Sequence, residues 1–123
     1  MSLKPIIAVI EDNPDNRLLL HALLEPRYET QEYEDGLVAL EKMPQQIPHL
    51  VLMDISLPHL SGVEVFQKMR EHAQLQNIPV VAVTAHAMSG DREKYLEYGF
   101  NDYLAKPIWD EQQLYSTIDK HLV

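Results

Sequence analysis

Four strand-like runs end in residues able to do chemistry. IIAVI (6–10) is followed by Glu11 and Asp12, HLVLM (49–53) by Asp54, VVAV (80–83) by Thr84, and NDYLA (101–105) by Lys106. Clustered carboxylates repel one another unless a cation or protons intervene, and an all-oxygen cluster suits Mg²⁺ better than softer metals. Magnesium keeps several waters and commonly takes one or two carboxylates together with a phosphate. If Glu11, Asp12 and Asp54 converge, the site therefore expects a phosphoryl group. Phosphoryl transfer asks for positioning and charge neutralisation more than for acid–base work, and a metal, a hydroxyl and a lysine aimed at the phosphoryl oxygens provide both. Asp54 is the expected nucleophile, because a carboxylate can form an acyl phosphate.

Each residue also has a plainer reading. Glu11 and Asp12 would favour the positive end of a following helix, Asp54 could start a turn, Thr84 could be a strand residue and Lys106 a solvated charge. One site at the ends of four strands accounts for all five together.

The elements that must bring them together follow from periodicity. IIAVI, HLVLM (49–53) and IPVVAVT (78–84) are short, branched and apolar, which predicts buried strands. YETQEY (28–33) and NDYLAK (101–106) are more polar strands. After the first strand, Asn13 is the expected cap and Pro14 the first residue of a helix, with Leu19, Leu20, Leu23 and Leu24 on one face. Asp35 caps a short helix contacting the core through Leu37, Leu40 and Met43. Val63, Phe66 and Met69 recur at helical spacing to about His72. A helix over about 89–98 has Ser89 as its cap and Gly99 as its stop. The last helix, from about Asp110, carries Leu114, Ile118 and Leu122 on one stripe.

Five strand–helix repeats predict a doubly wound α/β fold with a parallel five-stranded sheet and helices on both faces. The wholly apolar first, third and fourth strands belong in the middle, and the polar second and fifth at the edges, which gives the order 2-1-3-4-5. In such a sheet ligands bind where the winding reverses, between strands one and three. Glu11, Asp12 and Asp54 leave those two strands at one rim, with Thr84 and Lys106 beside them.

Composition narrows the function classes. A chain of 123 residues is expected to be one domain, 1–123, burying roughly two-thirds of its unfolded surface. It has no cysteine, so disulfides, thiolate nucleophiles and zinc–sulfur sites are excluded. A formal charge of -9 repels phosphate backbones and anionic membranes, so neither nucleic acid nor a membrane surface is an expected partner. No run reaches the ~20 apolar residues of a membrane span, and no signal pattern opens the chain; a cytoplasmic location is expected. The histidines show no spacing such as H-x-x-x-H, so an imidazole metal site is not expected.

The motifs EDN (11–13), LMDISLP (52–58) with Gly62, VVAVTAHAM (80–88) and NDYLAKPI (101–108), in this order and spacing, resemble the receiver domain of two-component response regulators. The resemblance covers essentially the whole chain and is closest in style to single-domain and hybrid-kinase receivers. The strand order 2-1-3-4-5 is the one this family is known for. The resemblance implies that Asp54 accepts phosphate from a phosphohistidine of a histidine kinase or phosphotransfer protein. It implies Mg²⁺ held by Asp12, Asp54 and the Ser56 carbonyl, with Glu11 acting through water. Thr84 would bond a phosphoryl oxygen, Lys106 would pair with the phosphate, and Lys106–Pro107 would be a cis peptide. Tyr103 matches the switch aromatic, turning inward as Thr84 moves toward the phosphate. The response would be a shift between two packings of the face made by the fourth helix, fifth strand and fifth helix, where a downstream protein binds. Ser56 and His86 resemble positions that control water access to the acyl phosphate.

Rival classes are weighed on particular residues. An aspartyl-nucleophile phosphatase needs a second acid two residues after the nucleophile, where this chain has Ser56. A flavodoxin-like cofactor binder needs a hydroxyl- or glycine-rich phosphate loop after the first strand, where EDNPDN presents carboxylates. A receiver-like binding module that is never modified would not need the full acid, hydroxyl and lysine set. The expectation is a self-phosphorylating and self-dephosphorylating signalling domain rather than a turnover enzyme.

Overall fold

The protein is described here from a computed structural model covering residues 4–85, 90–106, 108 and 110–122. Ser89, His86 and Pro107, which carry the expected helix cap, one of the water-access positions and the expected cis peptide, lie outside the described residues. The elements are β1 (Ile6–Ile10), α1 (Pro14–Leu24), β2 (Glu29–Tyr33), α2 (Gly36–Lys42) and a 3₁₀ turn (Met43–Gln45). After these come β3 (Leu50–Asp54), α3 (Gly62–Glu71), β4 (Val80–Thr84), α4 (Asp91–Tyr98), β5 (Asp102–Ala105) and α5 (Glu111–His121). The sheet is parallel in the order β2-β1-β3-β4-β5, as expected.

Side-chain alternation along the strands divides the interior in two. Ile7, Val9, Leu50, Leu52, Val81, Val83 and Leu104 pack with Leu20 and Leu24 of α1 and Leu114, Tyr115 and Ile118 of α5. Ala8, Ile10, Val51, Met53, Val80 and Ala82 pack with Ala39, Val65, Phe66, Met69 and Tyr95 on the opposite side. Continuing the pleat by two residues assigns Glu11, Asp54 and Lys106 to the α1/α5 side. Thr84 and Tyr103 fall on the α3/α4 side.

Local chemistry fixes the helix ends. The Asn13 side chain accepts from the backbone N–H groups of Asp15 and Asn16, Asp35 caps α2 through Val38 N, and Asp110 caps α5. Ser61 and Glu64 form a reciprocal capping box at α3, a pattern worth about 1 kcal/mol. The start of α4 differs from expectation: its N-cap is Gly90 in the left-handed conformation, with no side-chain cap bond.

Two leucines assigned to the core are on the surface. Leu19 is 47 % and Leu37 54 % exposed. In α1 the buried positions are Leu20 and Leu24, one turn apart. In α2 the contact falls to Gly36 and Ala39, because α2 lies so close to α3 that a Cβ on Gly36 would sit 2.2 Å from Val65 Cγ2.

Candidate functional site

Register explains why distant acids meet. Ile10 of β1 is level with Met53 of β3, and Asp54 is level with Val83 of β4, so Glu11 and Asp54 leave adjacent strands at the same height. Thr84 is level with Ala105 of β5, and Lys106 N donates to Thr84 O at 2.8 Å. All five predicted residues therefore stand at one rim. Glu11, Asp54 and Thr84 are buried there, at 2 %, 5 % and 1 % exposure, while Asp12 is exposed.

Glu11, Asp12 and Asp54 each offer a carboxylate oxygen, and these oxygens lie within 4.8 Å of one another. Lys106 is the cation facing them: Nζ is hydrogen-bonded to Glu11 Oε1 and stands 3.3 Å from Asp54 Oδ2. One ammonium set against two buried carboxylates leaves negative charge in excess. Burial, then the neighbouring Asp54, push Glu11 up from 4.5 to about 7, against the opposing pull of Lys106. Burial alone would lower Lys106, but contact with Glu11 and Asp54 holds it above the ordinary lysine value. Hard oxygen donors around an uncompensated charge fit a divalent ion such as Mg²⁺.

The loops are held by specific bonds. Asp54 Oδ1 accepts from Ser56 N at 3.0 Å, and Gly62 N donates to Ile55 O at 2.9 Å. A Cβ on Gly62 would meet the Asp54 carbonyl oxygen at 2.4 Å, so only glycine lets α3 start this close to the strand bearing Asp54. Sequence reasoning missed Arg17, whose Nη1 donates to Glu11 O at 2.9 Å and Asp12 O at 3.0 Å. Its position one turn into α1 was the one available signal.

Beside the acids lies a cavity of about 310 Å³ lined by Leu19, Leu20, Val83 and Ile108, with Glu11 and Lys106 at its polar end. On the other side of the sheet Tyr103 stacks on Tyr95, ring centroids 5.8 Å apart, and its hydroxyl is buried with no hydrogen-bond partner among the described residues. Burial, then Asp91 and Tyr95, raise that phenol above its ordinary value.

Further along the sheet a second ionic group joins three elements. Asp102, buried at the start of β5, faces Arg92 of α4 at 3.3 Å and His121 and Lys120 of α5 at 3.0 and 3.6 Å. Burial opposes ionisation of Asp102, but His121, the Tyr103 backbone N–H, Arg92 and Lys120 outweigh it and hold the carboxyl below 3.8.

A family model described as "Response regulator receiver domain" matches residues 7–119. The polar-differentiation response regulator DivK of Brucella ovis is 43 % identical over 103 residues, 83 % of this chain and 84 % of that protein. DivK of Brucella melitensis matches to the same extent. Among solved structures, the receiver domain of sensor histidine kinase PA1611 from Pseudomonas aeruginosa PAO1, described with a magnesium ion coordinated in its active-site cleft, superposes with TM-score 0.87. It is 33 % identical and covers 97 % of this chain and 98 % of that one. The receiver domain of a signal transduction histidine kinase from Syntrophus aciditrophicus gives TM-score 0.84 at 26 % identity, covering 96 % and 89 %.

Proposed function

The chain belongs to the response regulator receiver family, and from that membership we propose that Asp54 is its phosphoacceptor and that Glu11, Asp12, Lys106 and Thr84 complete the site. It is a phosphoacceptor signalling domain, and residues 1–123 act as one receiver unit. The observation that carries the assignment of Asp54 is its place between the acids and the ammonium: it is buried, it shares the carboxylate cluster, and Lys106 Nζ lies 3.3 Å from its Oδ2.

Asp12, Asp54 and the Ser56 carbonyl would hold Mg²⁺, with Glu11 acting through water. Bound there, the ion would supply charge neutralisation for phosphoryl transfer. Asp54 attacks phosphorus through a carboxylate oxygen, the bond from phosphorus to the donor histidine nitrogen breaks, and that nitrogen leaves with the electron pair. Lys106 and the Thr84 hydroxyl then face oxygens of the acyl phosphate.

The donor is a histidine kinase or a histidine phosphotransfer protein. Asp54 is only 5 % exposed, so a protein donor reaches it by docking over the rim. Leu18 and Leu19 of α1, 68 % and 47 % exposed, and the adjoining apolar cavity offer a surface for it beside Asp54.

Thr84 and Tyr103 form the switch. Stacking on Tyr95 favours the inward ring, while the buried unpartnered hydroxyl costs about 1–3 kcal/mol. These opposing effects act on the same ring, so a phosphoryl group drawing Thr84 can shift the balance between two packings. The downstream protein reads the result on the α4-β5-α5 face.

Incubation with acetyl phosphate tests the assignment. Label is expected only when Mg²⁺ is present, and Asp54→Asn abolishes it; undiminished label on Asp54→Asn would reject Asp54 as the acceptor.

A further inference from the structure

We propose that Arg17 is a positioning residue for the Mg²⁺ site, its guanidinium holding the Glu11 and Asp12 carbonyls so that the Asp12 carboxylate faces Asp54 before the ion arrives. This role rests on the reading of Glu11, Asp12 and Asp54 as the ion's surroundings.

Residues 11–13 form a short turn between β1 and α1, and their neighbours fix both ends. Glu11 N donates to Tyr33 O at 3.1 Å, and the Asn13 side chain is occupied with the N–H groups of Asp15 and Asn16. Between these anchors Asn13 N donates to Glu11 Oε2 at 3.3 Å and Lys106 holds Glu11 Oε1, so the Glu11 carboxylate is fixed by bonds of its own. Arg17 Nη1 spans both carbonyls, at 2.9 and 3.0 Å. The Asp12 side chain makes no hydrogen bond or ion pair of its own among the described residues. Its direction is therefore set by its backbone, and that backbone is what Arg17 grips.

Two effects of Arg17 on the ion have opposite sign. As a positive charge near a cation site it disfavours Mg²⁺, so removing it should tighten binding. As a brace it spares the ion the entropy of ordering the turn, so removing it should weaken binding. The bonds to both carbonyls favour the second effect.

Calorimetric titration of Mg²⁺ into the folded protein, with apo melting temperature measured in parallel, separates these cases. Arg17→Met is expected to raise the Mg²⁺ Kd on the order of 10-fold, the scale seen when groups supporting metal ligands are removed. Arg17→Lys, which keeps a charged donor but on a more flexible stem, is expected to raise it less, and it supplies the comparison should Arg17→Met fail to fold. A variant Kd equal to or below that of the unaltered protein overturns the proposal, including the case of a lowered melting temperature with unchanged Kd, which would mark a merely structural arginine. Failure of the unaltered protein to bind Mg²⁺ would overturn the ion site itself, and this role with it.

Discussion

Lys106 Nζ stands 3.3 Å from Asp54 Oδ2 while also bonded to Glu11, so one ammonium at the end of β5 bridges the acids that end β1 and β3. Removing one member of a buried ionic group leaves the rest uncompensated. Lys106→Met is expected to lower stability without Mg²⁺ at pH 8 by roughly 1–3 kcal/mol, less than a fully buried pair would lose because Glu11 can take up a proton. The rate of Asp54 phosphorylation should fall on the order of 10²-fold. Denaturant melts and a time course with a small phosphodonor measure both.

Glu11 gives the unliganded protein an inverted pH response. Its carboxyl is raised from 4.5 to about 7 in the fold, so between these values the folded state binds more protons than the unfolded. Its contribution is fully present below pH 4.5 and is lost as pH rises through about 7, a loss of no more than about 3 kcal/mol. Melting temperature in a chelating buffer should decline across that window. Glu11→Gln should flatten the decline, and saturating Mg²⁺ should reverse it.

Asp102 acts with the opposite sign. Its carboxyl is held below 3.8, so its contribution is present above that value and lost as pH falls through the depressed one. Asp102→Asn should cost about 1–3 kcal/mol at neutral pH and remove part of the acid sensitivity. Because Asp102 joins α4 to α5 through Arg92, Lys120 and His121, amide exchange should quicken in both helices. Quickening confined to one would contradict the link.

Gly62→Ala should cost about 1–3 kcal/mol, the usual penalty for forcing atoms into a packed site, because its Cβ would press on the Asp54 carbonyl at 2.4 Å. The displaced backbone carries the acceptor, so phosphorylation should slow as well. Normal phosphorylation in the folded variant would show that the close approach serves packing alone.

The strands and the rim were legible because a parallel sheet buried on both faces writes itself as apolar runs, and residues at the ends of adjacent runs have to meet. Helix faces were less so. In α1 the run Leu18-Leu19-Leu20 is apolar all round, and pattern alone does not say that Leu20 turns inward while Leu19 faces out. In α2 the burial belongs to Gly36 and Ala39, where small size rather than apolarity admits a neighbouring helix. Arg17 left no periodic trace: its place one turn into α1 was the sole hint, and its reach back to two carbonyls is seen only in the geometry. The group of Tyr28, Arg27 and Asp119, with Tyr28 Oη donating to Asp119 Oδ1 at 2.6 Å and Arg27 Nη2 donating to Oδ2 at 2.7 Å, joins residues too far apart in sequence for any local pattern.

Trapping the acyl phosphate tests the assignment of the acceptor most directly. Borohydride reduction of protein treated with acetyl phosphate and Mg²⁺ converts a phosphorylated aspartate to homoserine, which peptide mass spectrometry can locate. Homoserine at position 54, absent when Mg²⁺ is withheld, is the predicted result. Homoserine at Asp12 or any other aspartate, or equal conversion at position 54 without the ion, would contradict it.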